Sequence, residues 1–97
     1  MLQIFSKNLS QVILDENSSN QNIEKINEHI RFSKTENMTV DISKLNIMDA
    51  CMIATMGSTT HYINHPEGKI NWIVNNSMVE EYTRSMNLGN SEFLVKQ

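Results

Sequence analysis

Cys51, His61 and His65 are the residues whose types could support nucleophilic or metal chemistry. A cysteine in the first turn of a helix has its thiolate stabilised by the helix dipole, and a nearby histidine can act as the activating base. His61, however, follows Cys51 by ten residues, which on one helix is about 15 Å and beyond hydrogen-bond reach. We therefore expect Cys51 to be a small, half-buried thiol. A thiol-dependent enzyme centred on Cys51 stays as an alternative.

His61 and His65 are four residues apart and could share one helix face, as in the start of a metal site. No third ligand of suitable type is evident beside them, because Glu67 is a weak candidate and Pro66 indicates that the helix is ending. We expect surface histidines at a helix end, no metal and no cofactor. The glycines at 57, 68 and 89 are isolated and form no phosphate loop. A nucleotide-binding module is therefore only the third interpretation, and we expect no catalytic residue.

Composition limits the function further. The 97 residues suffice for one domain, 1–97, with one core. The net charge of −3 and the scattering of the eight Lys and Arg residues argue against nucleic-acid binding. The apolar runs are too short to insert into a bilayer, residues 1–7 do not resemble a signal peptide, and the single Cys51 fits a reducing compartment. We expect a cytoplasmic protein.

The elements that position these residues alternate between strands and helices. Short apolar or β-branched runs predict the strands, and apolar residues at a spacing of three or four predict the helices. The order β-β-α-β-α-β-α-(β) predicts an α/β fold in which helices pack against a mixed sheet, and the first two strands form a hairpin that adds an antiparallel edge. The predicted strands are Leu2–Phe5, Val12–Leu14, Met38–Ile42, Lys69–Val74 and Phe93–Val95, and the helices begin near Asn22, Asp49 and Ser77.

Side-chain types at the helix ends and along the helices complete this prediction. Asp49 is the expected N-cap of the second helix, Ser77 and Glu80 form an S-x-x-E capping box, and Gly89 suits a left-handed helix end. Asn20 or Asn22 is the expected cap of the first helix. The residues expected to face the core are Ile53 with Met52, Met56 and Ile63 on the second helix, Met78, Val79, Tyr82 and Met86 on the third, and Trp72 in its strand.

Residues 39–95 resemble the second half of a STAS (anti-sigma factor antagonist) domain. The similarity covers a little over half of the chain and follows the family's order of strand, signature helix, strand and final helix. The matching segments are Val40-Asp41-Ile42-Ser43, Ile47-Met48-Asp49-Ala50-Cys51-Met52, Ile70-Asn71-Trp72-Ile73-Val74-Asn75, Ser77-Met78-Val79-Glu80-Glu81-Tyr82, the Leu88-Gly89 pair and Phe93.

The family's Asp-Ser-Ser/Thr-Gly signature is altered here. Asp49 is kept, Ala50 stands at the position of the regulatory phosphoserine, Cys51 takes the second polar position and Met52 replaces the glycine. In phosphorylatable members a phosphate at this helix start adds about −1.5 to −2 charges and switches partner binding off. Because Ala50 has no hydroxyl, the resemblance implies that this switch is absent.

The resemblance implies a non-catalytic interaction module. Its partner would be an anti-sigma factor or related kinase-like regulator of transcription. A subunit role in a lipid-transport ABC machine is the alternative, and a homodimer is a further option. The partner surface would be the start of the second helix with the preceding loop from Ser43 to Met48. The expected contact residues are Asn46, Met48, Asp49, Ala50, Cys51, Met52 and Ile53.

Overall fold

The computed structural model describes residues 11–15, 19–32 and 36–97. The α/β class is confirmed, and so is the predicted alternation from the second strand onward. The predicted strand at Leu2–Phe5, and the antiparallel edge it would add, lie outside the described residues. The described elements are β1 (Gln11–Ile13), α1 (Ser19–Phe32), β2 (Met38–Asp41), α2 (Ile47–Asn64), β3 (Ile70–Val74), α3 (Ser77–Arg84) and β4 (Ser91–Val95).

The described strands form one sheet in the order β1-β2-β3-β4, and each of these neighbouring pairs is parallel. Right-handed connections between parallel neighbours in chain order place α1, α2 and α3 on the same face of the sheet, where α1 packs against α2 and α2 against α3. Val40 and Trp72 pair in register and are fully buried under the helices. Ile73 and Leu94 lie on the opposite face, where Leu94 is half exposed.

Trp72 lies at the centre of the core, as predicted. Its ring stacks on Phe93 with 6.4 Å between the ring centroids. Its indole Nε1–H donates to Ser91 Oγ at 2.9 Å, and Ser91 Oγ lies 2.5 Å from Ser58 Oγ on α2. These hydrogen bonds satisfy polar groups beneath the helix layer and join α2 to the edge strand β4.

Small residues let α2 lie close to the sheet. Its buried residues are Ala50, Ile53, Ala54, Gly57, Ser58 and His61. A Cβ on Gly57 would lie 2.8 Å from Trp72 Cη2 and 2.9 Å from Ile26 Cδ1, so a larger side chain has no room there. The prediction of a buried stripe is therefore wrong for Met52, Met56 and Ile63, which are exposed. It is confirmed for Ile53, which is buried.

The helix ends differ from the prediction by a few residues. Helix α1 already includes Asn20 and Asn22, and the Asn22 side chain donates to the Asp15 carbonyl at 2.9 Å. For α3 the cap is Asn76, whose Oδ1 accepts from the Val79 N–H at 3.0 Å, not Ser77. Asn and Ser are both good caps, and here the extended residue that precedes the helix is the asparagine.

The left-handed residue after α3 is Asn87, with φ of 55°, and not Gly89. Asparagine is one of the few non-glycine residues that adopt this conformation readily. The helix therefore ends earlier than predicted, at Arg84.

Candidate functional site

The start of α2 lies at the carboxyl edge of the parallel sheet, directly after β2. Helix α2 begins at Ile47, and Asn46 is its N-cap: Asn46 is extended and its Oδ1 accepts from the Asp49 N–H at 2.8 Å. The prediction that Asp49 caps the helix is wrong. Asp49 instead lies in the first turn, where a carboxylate interacts favourably with the helix dipole.

A buried carboxylate holds the turn that leads into α2. Asp41 Oδ1 accepts from the Ser43 N–H at 2.9 Å and from Ser43 Oγ at 2.6 Å, and Lys96 Nζ lies 3.6 Å from Asp41 Oδ2. Burial opposes ionisation of Asp41, but the Ser43 hydrogen bonds and the Lys96 charge outweigh it and hold the pKa of this carboxyl below its ordinary value. The Lys96 contact therefore joins the turn before α2 to the end of β4.

The structure divides the predicted contact residues between the surface and the core. Asn46, Met48 and Met52 are exposed, with Met48 78% exposed. Asp49 and Cys51 are half-buried, whereas the side chains of Ala50 and Ile53 are fully buried under α2. The predicted contact residues that reach the surface are accordingly Asn46, Met48, Asp49, Cys51 and Met52.

Cys51 is half-buried and lies at the start of the second turn of α2, one turn later than predicted, because the helix begins at Ile47. Burial raises the pKa of the Cys51 thiol, so the neutral form is favoured more strongly than in a free cysteine. A nucleophilic cysteine requires the opposite shift. The local environment thus disfavours thiolate chemistry at this position.

The two histidines join helix α2 to its neighbours. His61 is fully buried, and its Nε2–H donates to the Glu36 carbonyl at 2.8 Å. His65 Nε2–H donates to the Ile30 carbonyl at 3.1 Å, at the end of α1. The prediction of a surface position is therefore wrong for His61. Within the described ranges, no group of three His, Cys, Asp or Glu residues is placed to hold a metal ion.

Large apolar side chains are exposed along α2, and three of them, Met52, Met56 and Ile63, were expected to face the core. We call Met48, Met52, Met56 and Ile63 the α2 stripe; each is exposed, and Ile63 is 72% exposed. Asp49 is the single Asp, Glu, Lys or Arg residue in this 18-residue helix. The spacing of the methionines by four residues was the available signal, since it places them together on one helix face.

Two large side chains of α3 are also exposed. Met78 and Tyr82 were predicted to face the core, but they are 63% and 62% exposed. Val79 and Thr83 are the residues of α3 that are buried. The four-residue spacing of Met78 and Tyr82 matches that of Val79 and Thr83, so the spacing alone could not decide which pair faces the sheet.

Comparison with known proteins gives no match to a family model, a curated protein or a solved structure. The STAS resemblance accordingly depends on the segments quoted above and on the α/β fold. None of the helices in the described part of the chain combines the length and apolar character of a membrane span.

Proposed function

We propose that this chain is a non-catalytic, STAS-like interaction module that binds a protein regulator such as an anti-sigma factor. The contact surface is the start of α2 together with the α2 stripe. The observation that supports this proposal is the stripe itself: exposed methionines continue from the predicted site along a helix whose other face is already packed on the sheet.

Methionine is suited to this role because its flexible, polarisable side chain adapts to irregular apolar surfaces. Contiguous exposed apolar surface is characteristic of protein interaction sites. A partner that covers Met52 and Met56 removes apolar area from water, and Asp49 at the start of α2 is the one Asp, Glu, Lys or Arg residue on this helix. The binding is accordingly governed by the hydrophobic effect.

Control by phosphate at the family position is absent in this proposal. Ala50 has no hydroxyl, and its side chain is fully buried. The module is therefore permanently competent to bind through this surface. A STAS-type subunit of a lipid-transport ABC machine would use the same kind of contact, and the identity of the bound protein separates the two roles. The raised pKa of Cys51 makes the thiol enzyme the weaker alternative.

A capture experiment with matched variants tests the proposal. Tagged wild type, Met52→Glu and Leu94→Glu are expressed in the native cell, and the bound proteins are identified by mass spectrometry. Leu94 is the control because it is also exposed and apolar but lies on the opposite face of the sheet. We expect a protein that wild type and Leu94→Glu recover and Met52→Glu loses. The same protein, purified, binds Met52→Glu at least about tenfold more weakly, or about 1.4 kcal/mol, in a calorimetric titration.

Equal recovery by Met52→Glu would contradict the proposed surface. The variant Cys51→Ala separates the interaction module from the thiol-dependent enzyme. An interaction module keeps its partner in this variant, whereas a thiol enzyme loses its function.

A further inference from the structure

The turn that leads into α2 contains a polar network that lies beside the proposed contact surface. Ser43 is buried, and its Oγ donates to Asp41 Oδ1 at 2.6 Å and accepts from Lys96 Nζ at 3.5 Å. The Ser43 N–H donates to the same Asp41 oxygen at 2.9 Å. Lys96 Nζ also lies 3.6 Å from Asp41 Oδ2. Each of these three residues therefore contacts the other two, and we call them the 41–43–96 network.

The network joins the carboxyl ends of β2 and β4 across β3. Both strands are neighbours of β3 in the sheet, and Lys96 directly follows β4. The backbone N–H of Lys96 donates to the Val74 carbonyl at 2.8 Å, at the end of β3. On the other side, the Ile42 N–H donates to the Ile73 carbonyl at 2.8 Å. The side chains of the network thus connect two segments whose backbones are already hydrogen-bonded to β3.

The network is close in sequence to the cap of α2. Ser43 is three residues before Asn46, whose Oδ1 accepts from the Asp49 N–H at 2.8 Å. A buried N–H that loses its acceptor costs free energy, so the position of Ser43 depends on the Asp41 carboxylate. Lys96 supplies the positive charge beside that carboxylate. A change at Lys96 is therefore transmitted through Ser43 to the start of α2.

We infer that Ser43 and Lys96 are positioning residues for the proposed contact surface, and that the 41–43–96 network holds residues 43–50 in the conformation that the partner binds. This inference rests on the proposed function and adds a means of controlling it. A surface that is already ordered loses less conformational entropy when a partner docks. The Lys96 side chain is 52% exposed, so salt screens its attraction to Asp41. The network accordingly makes the contact surface sensitive to ionic strength.

Amide hydrogen exchange, followed by NMR on the full chain without a partner, tests the network directly. The amides measured are those of Ser43, Leu45 and Ala50, each of which is hydrogen-bonded. We expect Lys96→Met to accelerate their exchange about two- to fivefold, while the amides of the inner strand β3 keep their wild-type rates. Lys96→Arg keeps the charge and restores slow exchange. Lys44→Met is the control, because it removes the same charge from an exposed position on the same turn.

Salt gives a second readout of the same network. As the salt concentration rises from about 0.1 M to about 1 M, exchange in residues 43–50 relative to β3 accelerates in wild type and stays constant in Lys96→Met. Equal acceleration in Lys96→Met and Lys44→Met would overturn the inference, because the net charge would then account for the effect. Equal acceleration in the turn and in β3 would also overturn it, because the variant would then lower only the global stability.

Affinity for the captured, purified partner separates this inference from the proposed function. We expect Lys96→Met to weaken binding severalfold and Lys96→Arg to restore it, although Lys96 is not one of the proposed contact residues. Circular dichroism confirms that each variant is folded. If Met52→Glu loses the partner and Lys96→Met binds it as tightly as wild type, the contact surface stands and the positioning role is excluded. If Met52→Glu keeps the partner, the proposed surface fails and this inference fails with it.

Discussion

His61 combines full burial with a titratable ring. Its Nε2–H is committed to the Glu36 carbonyl, its Nδ1 has no hydrogen-bond partner, and the His65 ring lies 5.2 Å away between centroids. Burial lowers the pKa of His61 more than the Glu36 hydrogen bond raises it, and His65 lowers it further. The folded protein consequently disfavours the imidazolium form, whereas the unfolded chain accepts the proton at an ordinary pKa.

The first prediction is an acid-sensitive stability that depends on His61. Above the unfolded-state pKa of about 6.5 the ring is neutral in both states and the contribution to stability is constant. As the pH falls below that value the unfolded chain binds the proton first, so the free energy of unfolding decreases. Urea denaturation between pH 7.5 and pH 5 measures the slope. His61→Gln retains an N–H donor for Glu36 and has no titrating ring, so its slope is expected to be flatter; parallel profiles would contradict this role.

Gly68 lies against the same contact, which gives the second prediction. A Cβ at this position would lie 2.0 Å from the Glu36 carbonyl oxygen and 2.8 Å from His61 Cε1. Because a backbone atom must move to make room, we expect Gly68→Ala to lower the free energy of unfolding by about 1–3 kcal/mol. Gly89→Ala is the matched control: no atom lies within 4 Å of its added Cβ and its φ is not positive, so its effect should stay within about 0.5 kcal/mol.

At the scale of single elements, the N-caps of α2 and α3 are both asparagines, and each lies before the residue that the sequence predicted as the cap. Asn46 caps α2 in place of Asp49, and Asn76 caps α3 in place of Ser77. The third prediction is that Asn46→Ala and Asn76→Ala each lower the free energy of unfolding by about 1 kcal/mol. Asn75→Ala, an exposed neighbour of Asn76, is the control and should change it by less than about 0.5 kcal/mol. A larger loss in the control than in Asn76→Ala would show that the cap assignment is wrong.

The strands and helices were predictable because their sequence patterns are local. The period-2 pattern of β3 and the capping residues of α2 and α3 locate these elements to within a few residues. The orientation of α2 was not predictable in the same way, because large apolar residues occur on both of its faces. What decides it is packing volume: Ala50, Ala54 and Gly57 fit beneath the helix where Trp72 fills the space, and methionines do not.

The candidate site was predictable only in part for the same reason. The segment from Asn46 to Met52 could be located from the signature around Asp49, but the burial of Ala50 and Ile53 depends on the sheet beneath them. The exposure of Met78 and Tyr82 depends on which face of α3 packs on the sheet, and α2 contacts the segment after α3 through Thr55 and Met86. Contacts between residues 31 positions apart leave no local pattern in the sequence.

At the scale of the whole molecule, the β4 strand forms one edge of the described sheet. The Asn90 carbonyl accepts a backbone hydrogen bond from β3, and the Lys96 N–H donates one to β3. The backbone N–H and C=O groups of successive strand residues point alternately toward and away from the neighbouring strand. Phe93 is an odd number of positions from both Asn90 and Lys96, so its backbone groups point away from β3, toward the edge of the described sheet. Arg84 donates to the Phe93 carbonyl at 3.1 Å and so occupies that edge. Charged side chains at exposed edges reduce pairing between copies of a protein.

The fourth prediction is that Arg84→Ala increases self-association more than it lowers stability. The exposed Arg84–Glu80 pair contributes at most about 1 kcal/mol, so the free energy of unfolding should fall by no more than that. The freed Phe93 carbonyl, by contrast, becomes available to the edge strand of a second molecule, and sedimentation velocity at increasing protein concentration should show a larger oligomer fraction than for wild type. Arg31→Ala, an exposed arginine at the end of α1, controls for the lost charge. Equal oligomer fractions in the two variants would mean that net charge, and not the occupied β4 edge, keeps the molecules apart.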